Sequence, residues 1–282
     1  MTPPSLHHTL IGMDPQETAG ESRIESIPLT QSAARFLRRH SQMIQFYSDM
    51  ANLAAWADEQ ERANVKLLAL IDEGDAMSSE RLESLAKSTR HLEAVKRNRG
   101  VILESLISNS VDSFLAYIGQ LLGEIFRARP ETLRSGQTVR IDQVLEYDDL
   151  SELIDWLAEE RVVTLTYKGF YDLQADLERA LGFTLVPDED AVREMMYFIE
   201  VRNLLVHNLG LINRRFLSRT GADLPLGAPI PIDASLTQRI VKTVGETALS
   251  IDARTSMKFG LNRVDVHIAH WSSGPVLVEK GS

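Results

Sequence analysis

An all-α fold, arranged as an antiparallel helical bundle, is what this sequence predicts. Three observations carry that expectation. Apolar residues recur at spacings of three and four through most of the chain. The interruptions fall at Pro, Gly and Asp positions of the kind that start or stop helices. The one run of β-like character, "VVTLTY", has no partner run and reads as an extended link.

Residues 1–28 are rich in Pro, Ser, Gly and Thr without periodicity and read as a flexible arm. From Thr30 to Gln60 the spacing predicts a helix with Leu37, Ile44, Tyr47 and Met50 on one side. A helix pair follows: "RANVKLLALI" up to the breaker "DEGD", then "SERLESLAKSTRHLEAVKRN", capped by Ser78 or Ser79. Gly100 interrupts the pattern, and "VILESLISNSVDSFLAYIGQLLGEIFRARP" then gives a long apolar helix that Pro130 ends. "DDLSELIDWLAEERV" begins at an Asp cap, and "FYDLQADLERALGF" carries Gly182 near its C-terminus. From Asp188 to Arg219 a single helix is expected, acidic at its start and basic at its end, which complements the helix dipole. A Gly/Pro loop leads to a last helix over "DASLTQRIVKTVGETALSIDARTSMKFG", and the tail after it alternates weakly. Trp56 and Trp156 read as core. The expected units are an arm at 1–28, a helical extension at 29–100, a bundle at 101–260 and a tail at 261–282.

Bulk properties narrow the function classes. The 282 residues are 44% hydrophobic, enough for a substantial core, and contain no cysteine, which excludes disulfides and thiolate metal sites and suits a reducing cytoplasm. There is no run of about 18 apolar residues and no secretory signal pattern, so no membrane partner is expected. The net charge of −10 makes the chain a poor generic binder of nucleic acid. Locally the balance reverses: from Val201 to Ala222 there are four arginines (Arg202, Arg214, Arg215, Arg219) and no acid.

That basic stretch contains "EVRNLLVHNLG". On an ideal helix Glu200 falls about 20° from His207, Asn203 about 40° to the other side, and Arg214 about 20° to that side, so the four form a polar stripe with Gly210 beside it. Arg202 falls about 140° away, off the stripe. Histidine moves protons near neutrality, arginine offers a planar fork for a phosphate, and asparagine orients either group. Together they supply what RNA cleavage needs without a metal: the 2′-OH attacks phosphorus, His moves a proton, and Arg stabilises the charge that builds. The same residues also fit a plain polar helix edge.

The segment resembles the signature of the HEPN superfamily, helical-bundle domains found in many ribonucleases of toxin–antitoxin and antiviral systems. Their motif is Arg, four to six residues, then His, usually with a polar residue directly after the Arg. "RNLLVH" fits with Arg202, Asn203 and His207, and "NSVDSFLAYIGQLLGEIF" resembles the long first core helix of such domains. The resemblance spans Val101 to Gly260. Two further matches to the bare spacing, Arg35 to His40 and Arg263 to His270, lack the polar neighbour, since Phe36 and Val264 follow the arginines.

The resemblance implies a metal-independent endoribonuclease of toxin or defence type that leaves 2′,3′-cyclic phosphate ends. His207 would be the general acid and base, Arg202 the contact to phosphate and transition state, and Asn203 the orienting group. Arg214 and Arg215 are candidate phosphate contacts. From their positions, Glu200 is a candidate to support the motif from beside it or a plain solvent-facing charge, Asn208 a candidate support and cap on a dimer contact, and Asp112 a candidate to orient His207 across the bundle or a residue of a helix start. A homodimer is implied, in which two motif helices share a cleft and residues from different sides of the helix converge. The partners expected are RNA and an antitoxin or defence protein. Some members keep the fold as non-catalytic modules for dimerisation or for binding nucleotide or protein, and that reading stays open. The chain has no P-loop, dinucleotide turn, GxSxG or HExxH, and no cofactor or metal is expected. His267 and His270 have an i, i+3 spacing in a tail and read as incidental.

Overall fold

The computed structural model describes residues 24–71, 89–133, 139–166, 169–271 and 274–278. The fold is an all-α bundle with a small three-stranded sheet at its edge. In chain order the main elements are β1 (Glu25–Leu29), α1 (Gln31–Ile71), α2 (Arg90–Arg97), α3 (Arg99–Ala128), α4 (Ile141–Val144), α5 (Leu150–Thr166), α6 (Phe170–Leu181), α7 (Glu189–Asn208), α8 (Arg214–Thr220), α9 (Ala234–Phe259), β2 (Val264–Trp271) and β3 (Gly274–Leu277).

The centre is α3, which packs against α1, α5, α7 and α9. Its sequence explains that position. Leu103, Ile107, Val111, Phe114, Ile118, Leu121 and Ile125 make one buried stripe, and Leu106, Tyr117, Leu122 and Phe126 are buried to either side of it. A helix apolar on several sides must be surrounded, and each such side chain contributes about 1.5–3 kcal/mol. By length and composition α3 would also cross a membrane, but here its apolar faces form the core. Against it, α7 lays Val192, Met195, Phe198, Val201 and Leu204, which fixes which side of the motif helix turns outward.

Caps set the helix starts. Asp188 accepts from Ala191 N, Asp233 from Leu236 N, and Asp149 from the N–H groups of Ser151 and Glu152. At the other end of α6, Gly182 adopts φ 57°. Arg254 of α9 then holds the following loop by donating to the carbonyls of Thr184 and Leu185, with its guanidinium over the Phe183 ring.

Several expectations change. The first predicted helix does not stop at Gln60 but runs without a break to Ile71. Of the next predicted helix residues 89–98 are described, with Arg90–Arg97 helical, and the Ser78–Ser79 cap lies outside the described residues. Asn98, not Gly100, marks the break before α3, and Gly100 sits in its first turn. The "VVTLT" run is helical and closes α5, because the residues before it already commit the backbone to a helix that propagates cheaply. Trp56 is 57% exposed on α1 rather than core, while Trp156 is half-buried against the Tyr147 ring.

The sheet joins the two ends of the chain. Glu25–Leu29, read as the end of the arm, pairs antiparallel with β2 from Glu25↔Ile268 to Leu29↔Val264, and β3 pairs on the far side of β2. Pro28 is tolerated because β1 is an edge strand. Gly274 has φ 108°, and a Cβ there would come within 3.1 Å of Lys242 Cα, so this strand lies directly on α9. Behind the sheet, buried Asp252 of α9 accepts from both the backbone N–H and the hydroxyl of Thr30, fixing the entry into α1.

Candidate functional site

The motif residues sit on the last turns of α7. Arg202 is 21% exposed and points toward α3, with Nε 2.6 Å from Asp112 Oδ1. That N–H is not aligned for a hydrogen bond, so the contact is an ion pair rather than a directed donor interaction. Its Nη1 also donates to Asn203 Oδ1 at 3.1 Å. Asp112 therefore holds Arg202, where the sequence reading gave it the task of orienting His207.

Asn203 opens on the adjacent side of the helix. It lines a cleft of about 250 Å³ with Glu200, Met196, Tyr171, Arg215 and Arg219. The structure thus brings together Asn203 and one of the two predicted phosphate contacts, Arg215. Arg214 is exposed and does not line that cleft.

The straight polar stripe does not exist, because α7 ends at Asn208. Leu209 and Gly210 are both left-handed, at φ 51° and 74°, and Gly210 N–H bonds back to Leu204 O at 2.9 Å. Arg214 begins a separate helix, α8, capped by Asn213. The turn is stapled to residues 227–230 by Ile212 N to Ala228 O, Gly227 N to Ile212 O and Ile230 N to Gly210 O. Glu200 is 5% exposed and receives Arg219 Nη1 at 2.7 Å, which pins α8 onto α7. Asn208 donates to Leu211 O and closes its own turn.

His207 is exposed, and among the described residues its ring meets no hydrogen-bond or ion-pair partner. Around the end of α7 lie Val206, Leu209 and Leu211, all exposed. Leu209 is 91% exposed in a backbone conformation that costs an L-residue about 1–2 kcal/mol. Replacing it with glycine is expected to stabilise the isolated chain by about 0.5–1 kcal/mol, the relief of strain less the added entropy loss. Urea unfolding of Leu209→Gly at low protein concentration checks this; a lower midpoint would mean that the side chain packs within the chain.

No family model, curated protein or solved structure matches this chain.

Arg219, absent from the residues first singled out as site candidates, is the one that secures the local frame. With Arg219 replaced by alanine, buried Glu200 loses its cation. Because Arg219 is itself 45% exposed, the expected loss is about 1–2 kcal/mol rather than the larger figure of a fully buried pair. A urea midpoint unchanged within error would show the pair to be idle.

Elsewhere, Asp58, Glu61 and His91 come together with ligand atoms within 4.8 Å of one another. Asp58 Oδ1 accepts from His91 N and contacts His91 Nδ1, and Oδ2 accepts from Leu92 N. Burial alone would raise the Asp58 carboxyl, but these N–H groups and the imidazole outweigh it and hold it below the usual range. Arg90 lies 3.4 Å from Glu61. The cluster acts as a cap that fastens α2 to α1. His267 and His270 lie on β2, where an i, i+3 pair points to opposite faces, and His270 contacts Glu25.

Proposed function

We propose that this chain is a metal-independent endoribonuclease of the HEPN type that works as a symmetric dimer through Arg202, Asn203 and His207. The observation that carries the reading is the combination at the end of α7: an exposed histidine, without a partner among the described residues, inside a collar of exposed Val206, Leu209 and Leu211. An apolar collar on a rigid turn fits burial against a second copy. Among the described residues of one chain nothing joins Arg202 to His207, since Arg202 faces Asp112 and α3. A two-fold axis beside α7 would set the Arg202 of one copy toward the His207 of the other. His207 would then move the proton of the attacking 2′-OH, Arg202 would neutralise charge on phosphorus, and Asn203, already bonded to the guanidinium, would hold its fork.

The test is incubation of purified protein with mixed tRNA and mRNA in EDTA, beside His207→Ala and Arg202→Ala. Cleavage with 2′,3′-cyclic phosphate ends, lost in both variants, supports the reading; intact RNA with the wild type overturns it. The Leu209→Gly chain should also dimerise more weakly in sedimentation while its monomer is more stable.

One observation favours a second reading, a non-catalytic HEPN-type module for dimerisation or ligand binding. The Arg202 fork is occupied by Asp112 and Asn203 and is not free for a phosphate until one of them yields. Dimerisation without cleavage of any RNA is its signature. A toxin or defence setting, with an antitoxin-like partner, extends the first reading; growth arrest on expression that depends on His207 tests it.

A further inference from the structure

A second cleft of about 370 Å³ lies between α1 and α3. Its α1 wall presents Arg35 and Arg39, one helical turn apart, and its α3 wall presents Asp112, Ser113 and Gln120. Phe36 and Tyr117, with ring centroids 5.4 Å apart, form an apolar floor. The two guanidiniums are only loosely used. Arg39 donates through Nε to Ser113 Oγ at 3.3 Å, and among the described residues no acid lies within ion-pair distance of it, so its terminal fork is open. Arg35 lies 3.9 Å from Glu124, whose same oxygen already accepts from Ser32 N at 2.7 Å.

The cleft continues to the motif through one residue. Asp112 lines it and is the carboxylate that meets Arg202. Arg202 meets Asp112, and Arg35 and Arg39 line the same cleft, in a chain whose net charge is −10. Because Asp112 is paired with Arg202, its charge opposes the field of Arg39 less than a free carboxylate would. The open fork of Arg39, with Ser113 and Gln120 beside it, is what a phosphodiester needs, and the volume accommodates a phosphate with its sugar.

We propose that this α1–α3 cleft binds a phosphate of the RNA next to the one that Arg202 addresses, with Arg39 and Arg35 as its contacts and Gln120 hydrogen-bonding the attached nucleotide. The proposal rests on the ribonuclease reading for the identity of the polymer. It gives α1, which lies outside the stretch resembling the HEPN signature, a role in holding substrate. Cleavage then favours RNA that extends past the scissile bond into the α1–α3 cleft.

The test uses the full chain and a labelled 2′-O-methyl oligoribonucleotide, which cannot be cleaved. Arg35→Ala/Arg39→Ala is expected to bind at least about tenfold more weakly, with the slope of log affinity against log salt reduced by about 0.7 for the lost phosphate. Arg38→Ala, exposed on the same helix but outside the cleft, should bind within about twofold of wild type. Equal losses in all three chains would mean general charge attraction and overturn the proposal, as would unchanged binding by the double variant. Adenosine 5′-monophosphate serves as the second probe. A thermal shift in wild type that the double variant lacks, in a chain that cleaves no RNA, retains the phosphate site and removes the ribonuclease reading. Cleavage and binding that ignore the double variant do the reverse. The arginines are exposed, so the variants should melt as wild type does without ligand.

Discussion

His207→Ala protein is expected to cleave RNA about 10²–10⁴-fold more slowly than wild type, the range for loss of a positioned general acid or base. Arg202→Ala should be similarly impaired, because charge on phosphorus is left without its donor. The informative step is to mix the two inactive chains. On α7 the two residues face different ways, Arg202 toward Asp112 and His207 outward. If each site takes Arg202 from one copy and His207 from the other, a mixed dimer holds one intact site and one doubly altered site. Random exchange makes half the dimers mixed, and half of their sites are intact, so about a quarter of the wild-type activity should return. Activity that stays at the level of the separate variants would show both residues acting within one chain and would discard the shared-cleft geometry.

Stability is expected to fall by about 2–3 kcal/mol between pH 7 and pH 4.5 through His40 alone. This residue is fully buried, stacked on Phe36 at 5.3 Å, and both ring nitrogens lack a hydrogen-bond partner. On its other side Gly245 leaves room; a Cβ there would come 3.4 Å from Nε2. Burial pushes the imidazole down to about 4, with the backbone carbonyl of Val241 working weakly the other way. The unfolded chain binds the proton near pH 6.5, so the folded state is fully favoured above that value and loses ground as pH falls toward 4. Glu124 and Asp252 run opposite: burial raises both carboxyls against their hydrogen bonds from Ser32 and Thr30, so acidification favours the fold through them. The measurement is therefore a comparison. Urea midpoints of wild type and His40→Phe should diverge as pH drops, with the phenylalanine chain less acid-sensitive; parallel curves would refute a neutral buried ring.

His40 also shows why the motif spacing alone misleads. Arg35 to His40 has the same spacing as Arg202 to His207, yet Arg35 is exposed while His40 is sealed in the core. The polar residue after the arginine distinguishes the two in sequence. In the structure the difference is physical: Asn203 accepts from Arg202, while Phe36 packs inward.

The helices were legible because their cause is local. The stripe Ile107, Val111, Phe114, Ile118, the Asp caps at 188 and 233, and Gly182 each act over a few residues, and those residues are adjacent in the chain. The interruption of α7 was not, because Leu209 gives no glycine-like warning; its left-handed turn is held by bonds to residues 227–230. Nor was the sheet, whose first strand meets β2 across more than two hundred residues. By itself the sequence determined an all-α chain with an Arg-Asn-His set on one late helix. Only the tertiary structure decided that Arg202 turns to Asp112, Glu200 is buried under Arg219, and His207 is left exposed. Those choices depend on which surfaces the neighbouring helices cover, and periodicity carries no record of that.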